Sequence, residues 1–380
     1  LSVATNDGAV GCYLASMPVM NASHGTAIVY MSSLREVQVK DARDLSKKPL
    51  CIAMKTEPSF IAMGEKHVGM GYNNLCWFYA RDKGGDQVNE MEYLASVDHV
   101  SMNSYMAAVR YEGHVQLHQI TGDPDGRMTR TLPEAQDESA ISASHLTEIF
   151  LIYATQMGSI VYSSLEDGSR PNEYRHTEGI KRLFPNKTGM RMVVVDDTLA
   201  GLLYNPVDSS MLPIKNFPHD VEDLLWDMRD PGVFAVVGKG EISAFRYVSV
   251  SLRGQTVIPI GVTKRPSSFS PMVLNGGEIT YQAMNGAIQT LTLSSHSALA
   301  RIPEPGSSPE LRVHQALSIG RLEEAYEGAL EMEAEEQWTA VKRAALEALD
   351  VQIALRVGRE TQDAALVLAL QRLVTTEDRN

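Results

Sequence analysis

Cysteine is scarce: Cys12, Cys51 and Cys76 are the three in 380 residues. They lie far apart, each in an apolar, strand-like context, so we expect buried free thiols of a reducing compartment. Positive charge is also short. Lys and Arg number 34 against 47 Asp and Glu, a formal net charge of -13, which argues against a general nucleic-acid binder because phosphate contacts need clustered cations. No run reaches the 18 or so apolar residues that a membrane span requires, so no transmembrane segment is expected.

Catalytic signatures are missing too. There is no Gly-x-Ser-x-Gly elbow, and no Cys or His falls in a recognisable nucleophile context. Gly238-Lys-Gly240 resembles part of a nucleotide loop, but it opens onto the strand-like Ile242-Ser-Ala-Phe245 where a phosphate site wants a helix N-terminus. Asp123-Pro-Asp-Gly126 begins like a calcium loop and lacks the later ligands and the glutamate at the twelfth position. His114 and His118 sit on a strand pattern, where four residues span about 13 Å, so they read as surface imidazoles, not ligands of one metal. Asp196-Asp197 follows Val193-Val-Val195 and reads as a solvated turn. Asn21-Ala-Ser23 and Asn186-Lys-Thr188 match glycosylation acceptors in form only. We therefore expect no enzyme, no cofactor and no metal.

What is present is a repeat. From Tyr105 to His118 an apolar strand, a tight turn at Tyr111-Glu-Gly113 and a second strand with one dry face follow one another. The pattern recurs at Phe150 to Tyr162 around Gly158, at Val233 to Phe245 around Gly240, and after Met272 with a turn at Asn285-Gly286. The steps from Gly113 to Gly158 to Gly240 to Gly286 are 45, 82 and 46 residues, a unit of roughly forty that matches a propeller blade. One small antiparallel sheet cannot bury its own faces, whereas a ring of such sheets buries both and leaves short edges.

The predicted fold class is mainly β with C-terminal α: a β-propeller of seven blades at 27–303, followed by an α-solenoid. Residues 1–16 read as the last hairpin of a preceding propeller, 17–26 as a linker and 304–310 as a second linker. Ile28 to Val39 supplies a first pair of strands. Cys51 to Met54, Phe60 to Met63, Val68 to Tyr72 and Leu75 to Tyr79 read as one full blade, and further blades are expected at 93–120, 141–165, 180–204, 221–247 and 257–293. Gly122 to Glu138 and Ser163 to Arg175 read as polar rim loops. Pro303, Pro305, Gly306 and Pro309 stop any regular element, and we expect an ordered, tight connector there.

After the prolines the period changes from 2 to 3.6. Helices are expected at 311–318, 322–332, 338–349, 351–357 and 364–373, the start of a helical-repeat array at 311–380. The expected structural anchors are Trp77, Trp226 and Trp338 in the core, with Trp226-Asp227 beginning a strand, and Gly113, Gly158, Gly240 and Gly286 at the turns. Glu324, Glu327 and Glu331 stand on the side of their helix opposite Leu322, Ala325 and Ala329. They are candidate partner-binding residues, with an ordinary solvated face as the equal alternative.

Several strings are more specific than any propeller pattern: Ile28 to Val39, Glu57-Pro-Ser-Phe-Ile-Ala-Met-Gly64, Val68-Gly-Met-Gly-Tyr-Asn-Asn-Leu-Cys-Trp-Phe-Tyr79, Met91-Glu-Tyr-Leu-Ala-Ser-Val97, Glu112-Gly-His-Val-Gln-Leu-His118, Tyr174-Arg-His176 and Ala325-Tyr326. They resemble the second propeller and first helices of the WD-repeat subunit nineteen family of intraflagellar transport complex A, across essentially the whole chain. The blade-ending Trp-Asp of WD repeats is mostly missing, which weakens blade counting by motif.

The resemblance implies a WD-repeat-type propeller with a TPR-like tail, in a non-enzymatic scaffold that supports retrograde transport in cilia and flagella and the ciliary entry of membrane proteins. It implies as partners the other subunits of complex A, the complex B train and tubby-like cargo adaptors, with membrane-protein cargo held indirectly. The implied location is the cilium or flagellum and its base, the basal body, on the cytoplasmic side. The same architecture would also serve a vesicle-coat or tethering subunit outside the cilium. A propeller enzyme would instead need a polar central channel lined by convergent carboxylates or histidines.

Overall fold

Seven antiparallel sheets of three or four strands occur among the described residues, which in this computed structural model are 2–12, 19–122, 129–134, 139–252, 254–300, 308–332 and 334–377. Together they make a seven-bladed β-propeller, and five helices follow it. Blade 1 comprises Asn21–His24, Ala27–Ser33, Glu36–Asp41 and Leu50–Ala53. Blade 2 is built from Phe60–Met63, His67–Tyr72, Leu75–Ala80 and Gln87–Glu92, and blade 3 from His99–Met102, Met106–Tyr111, His114–Gln119 and Thr129–Leu132. Blade 4 holds Ile141–Leu146, Phe150–Thr155, Ser159–Ser164 and Asn172–Arg175; blade 5 holds Ile180–Pro185, Met192–Asp196, Gly201–Asn205 and Ser210–Pro213. Asp223–Trp226, Val233–Val237, Glu241–Val248 and Thr256–Lys264 form blade 6, and Ser270–Asn275, Glu278–Gln282 and Ile288–Thr292 form blade 7. Within every blade each strand pairs with its neighbours in sequence. The hairpin of Ser2–Ala4 with Val10–Cys12 is a separate two-stranded sheet.

By contacts the chain divides into two compact units. The first holds Leu1–Met211, Pro266–Val273 and Thr280–Thr290. Its core lies between blades. Val29, Met31, Val37 and Ile52 of blade 1 meet Met63, Val68, Met70 and Tyr79 of blade 2, while Cys76 and Phe78 on the other face of blade 2 meet Val100, Met102, Ala107 and Val109 of blade 3. The apolar run Leu-Cys-Trp-Phe-Tyr is thus explained: alternate residues serve two different interfaces, so neither face can be polar. Fully burying one such side chain as large as Phe78 contributes about 2–3 kcal/mol. Polar bonds join the first blade to the last. Asn21 Nδ2 donates to Ser270 Oγ at 2.9 Å, Ser23 Oγ to the Met272 carbonyl at 2.6 Å, and Gln282 Nε2 to the Met31 carbonyl at 3.2 Å.

The second unit holds Leu212–Arg265, Leu274–Ile279 and Leu291–Asn380. Its helices are α1 (Pro309–Ile319), α2 (Leu322–Met332), α3 (Glu335–Glu347), α4 (Val351–Glu360) and α5 (Ala364–Glu377). Ser308 caps α1 by accepting the Leu311 N–H at 3.2 Å, Pro309 fills the first turn, and Gly320 ends the helix at φ 87°. Ala316, Ala325, Ala329, Val341 and Ala345 let the helices approach closely, and Trp338 and Tyr326 fill the remaining space with ring centroids 5.5 Å apart.

Several expectations are corrected. Leu50–Ala53 belongs to blade 1, with Val37 opposite Ile52, and blade 2 takes Gln87–Glu92 as its fourth strand instead. Alternation reveals which face of a strand is dry but not which neighbour it pairs with. Asn21–His24, inside the expected linker, is a strand whose polar side chains go to blade 7. Cys51 is exposed, whereas Cys76 is buried and its thiol is pushed up by that burial. His118 is not a surface imidazole: it is fully buried, takes the Tyr93 hydroxyl on Nε2 at 2.8 Å and meets Phe78 edge-on. Asp196 is buried as well. Burial opposes its charge, but the Thr198 hydroxyl at 2.7 Å, the Ala200 N–H at 2.9 Å and His176 outweigh it and hold the carboxyl below its usual range.

The calcium-like loop Asp123-Pro-Asp-Gly126, most of the Gly122 to Glu138 loop and the Pro303 to Gly306 part of the connector lie outside the described residues.

Candidate functional site

Trp226 ends the first strand of blade 6, where the sequence pattern had it begin one. Its ring packs against Phe234, and the chain then turns at Asp227. That carboxylate organises the turn. Oδ1 accepts the N–H groups of Arg229 at 2.8 Å, Asp230 at 3.1 Å and Gly276 at 2.8 Å, and Oδ2 accepts the Gly277 N–H at 2.7 Å. Four charge-assisted bonds stabilise a buried carboxylate that would otherwise be expensive to desolvate. Gly276 and Gly277 both have positive φ, and a Cβ on Gly277 would fall about 2.0 Å from the His296 ring.

His296 closes a single 3-10 turn, Ser294–His296, that follows the last strand. It is wholly buried; Ser295 Oγ lies 2.9 Å from Nδ1, and Nε2 has no hydrogen-bond partner. Burial pushes its imidazole below the ordinary range, against the pull of Asp227 and Asp230. Asp230 Oδ2 stands 4.0 Å from Nε2 and receives Arg321 Nη2 at 2.6 Å, while Arg321 Nε donates to Oδ1 at 3.1 Å. Arg321 Nη1 reaches Glu324 Oε2 at 3.1 Å, and Arg229 Nη2 reaches Glu324 Oε1 at 3.0 Å.

Further bonds tie α1 to the same neighbourhood. Gln315 Nε2 donates to the Ser294 carbonyl at 2.8 Å and Gln315 Oε1 accepts the Ala298 N–H at 2.8 Å. Arg246 of blade 6 donates through Nη1 to the carbonyls of Leu317 and Ser318, both at 3.3 Å, and so caps the negative end of α1. The Leu252 N–H donates to the Glu347 carbonyl of α3 at 3.1 Å. Blade 6 and the helices are therefore joined by directional, partly buried bonds.

The first unit offers a different feature. A cavity of about 370 Å³ is lined by His24, His99 and His145, with Asp98, Ser101 and Ser23. Burial pushes His99 and His145 down to about 4, helped by Arg110 beside the former and by the other imidazoles beside the latter, and it lowers His24 too. The two hydroxyls bond to backbone, Ser23 to the Met272 carbonyl and Ser101 to the Leu146 N–H, not to an imidazole. Among the described residues, only Asp227, Asp230 and His296 bring three candidate ligand atoms within 4.8 Å of one another.

The residues singled out from sequence fall in several places. Trp226 and Trp338 are buried and Trp77 is half-buried against the interface of blades 1 and 2. Gly113, Gly158 and Gly286 turn at φ 75°, 87° and 80°, but Gly240 has no positive φ and open space around it. Glu324 is taken up by Arg321 and Arg229, while Glu327 and Glu331 stay exposed. Asp230, His296 and Arg321 were not legible: they come from three stretches separated by 66 and 25 residues, and the neighbouring Trp226-Asp227 pair reads in sequence as the start of a strand.

Antiparallel blades in chain order, followed by five packed helices, are the build of a WD-repeat-type propeller protein. Residues 28–296 match the family model described as the WDR19 second beta-propeller. Over its whole length the chain is 32% identical to human WD repeat-containing protein 19, and 27% identical to WD repeat-containing protein dyf-2 of Caenorhabditis elegans. The chain belongs to the WD repeat-containing protein 19 family and spans 29% of the length of these relatives. Solved structures share the fold: Kluyveromyces lactis Hsv2 has a TM-score of 0.59 at 12% identity, covering 72% of this chain and 93% of that one. The beta-propeller domain of Myceliophteria thermophila Cps50 (Swd1) has a TM-score of 0.55 at 10% identity, covering 73% and 97%. No helix among the described residues is long and apolar enough to cross a membrane.

Proposed function

We propose that this chain is a non-enzymatic scaffold segment of an intraflagellar transport complex A subunit, supporting retrograde transport in cilia and the entry of membrane-protein cargo. The observation that carries the reading is the family match along the whole chain. The bonded joint between blade 6 and the helices supports it mechanically, because a scaffold must hold its binding surfaces in fixed relation. The other complex A subunits, the complex B train and a tubby-like adaptor are the proposed partners, and the cilium and its base the proposed location. Glu327 and Glu331 offer an exposed acidic helix face that would steer a basic partner surface.

The deciding experiment joins co-purification with imaging. The full-length protein carrying this segment should co-purify with complex A subunits and localise to cilia, and deleting the segment should abolish one or both. A protein found only on Golgi or endosomal membranes, co-purifying with coat components, would establish the vesicle-coat reading instead.

A further inference from the structure

We propose that Asp227, Asp230 and His296 form a binding site for one divalent transition-metal ion, with zinc as the preferred occupant, which clamps the blade 6 turn to the 3-10 turn ahead of the helices. Three ligand atoms, one from each residue, lie within 4.8 Å of one another. Ligands of a tetrahedral zinc stand roughly 3.3–3.5 Å apart, given bonds of about 2.0–2.2 Å, so a modest contraction completes the set.

An independent observation points the same way. The His296 side chain has no exposed surface, and its Nε2 has no hydrogen-bond partner while facing Asp230 Oδ2 at 4.0 Å. Leaving a buried polar nitrogen unpaired is costly. With Nδ1 held by Ser295 Oγ, a proton on Nδ1 leaves the Nε2 lone pair turned toward a carboxylate, an arrangement that a cation between them makes favourable.

The surroundings have the features of an outer ligand shell. Asp227 Oδ2 accepts a single bond, from the Gly277 N–H, and retains a lone pair. Asp230 takes one Arg321 nitrogen on each oxygen, which fixes the carboxylate and leaves each oxygen further accepting capacity. The Glu324 carboxylate on Arg321 Nη1 offsets part of the guanidinium charge beside the site. Such outer contacts orient ligands and sharpen affinity. One imidazole with two carboxylates suits zinc, or manganese, better than calcium or magnesium, which seek six or more oxygens. The burial of Asp227 and His296 shields the site from bulk solvent.

The test uses the chain stripped with a chelator and titrated calorimetrically with zinc, manganese, calcium and magnesium chlorides in parallel. We expect one zinc per chain, a higher melting temperature with zinc than without, and little response to calcium or magnesium. His296→Gln and Asp230→Asn should each weaken zinc at least about tenfold, and cobalt should give a visible tetrahedral spectrum in the native chain but not in His296→Gln. Circular dichroism checks that the variants are folded, and Asp230→Asn, which keeps an oxygen for Arg321, serves if His296→Gln fails to fold. Absence of zinc binding, or binding that both folded variants retain in full, overturns the proposal and leaves adventitious contact with surface histidines.

Discussion

Asp230 in the turn of blade 6 and Arg321 ahead of α2, 91 residues apart in sequence, meet through two parallel hydrogen bonds of 2.6 and 3.1 Å. Both side chains are largely buried, so the pair is less screened than a surface bridge. Replacing Arg321 by Ala leaves Asp230 without its guanidinium. We expect a loss of the order of 3 kcal/mol in urea unfolding, with faster amide exchange in α1 and α2. A loss under about 0.5 kcal/mol would place the pair among ordinary surface bridges.

Trp338→Ala should cost about 3–5 kcal/mol, because the ring fills the centre of the helical core against Tyr326. The loss belongs to the helices. Amide exchange should therefore rise across α2 to α4 while strands 67–72 and 75–80 keep their protection; equal loosening of both regions would contradict this.

Gly158 and Gly240 occupy equivalent hairpin turns but predict opposite outcomes. At Gly158, φ is 87° and a Cβ would stand about 2.5 Å from the Glu178 carbonyl oxygen, so Gly158→Ala should destabilise by at least about 1–2 kcal/mol. Gly240 has no positive φ and nothing within 4 Å of the added carbon. Gly240→Ala should stay within about 0.5 kcal/mol of the parent in the same thermal melts.

The acidic face of α2 divides. Glu324→Lys sets a cation beside Arg321 and Arg229 and should lower the melting temperature by itself. Glu327→Lys with Glu331→Lys should leave the melt unchanged and weaken binding to reconstituted complex A partners, more at low salt than at high. Equal affinity of parent and double variant at both salts would remove this face from the interface.

Acid should loosen the ring in a defined window. His99 and His145 titrate near 4 in the fold against about 6.5 when unfolded, so between these values the unfolded chain holds more protons. Their contribution to stability is complete above pH 6.5 and is lost as pH falls toward 4. His99 keeps surface open to the cavity, and water there moderates its share. In a pH series of urea melts, His145→Gln should flatten the slope between pH 6.5 and 4; an unchanged slope would show that other groups carry it.

The sequence by itself determined the repeat and the change from strand to helix. These are local properties: a period of two, a period of 3.6, and turn residues at regular steps suffice to state them. Even the partition of strands into blades needed more, since Leu50–Ala53 has the same alternation whichever neighbour it pairs with. What only the tertiary structure decided are the meetings of distant residues. His118 lies under Tyr93 because two blades face each other, and Asp196 is buried because its turn folds back over it. Asp227, Asp230, His296 and Arg321 come together because the blade 7 turn, the 3-10 turn and the start of α2 converge on the end of one blade 6 strand. No spacing in the chain encodes that convergence: it follows from the summed geometry of the strands between them, which burial fixes and one-dimensional patterns do not contain.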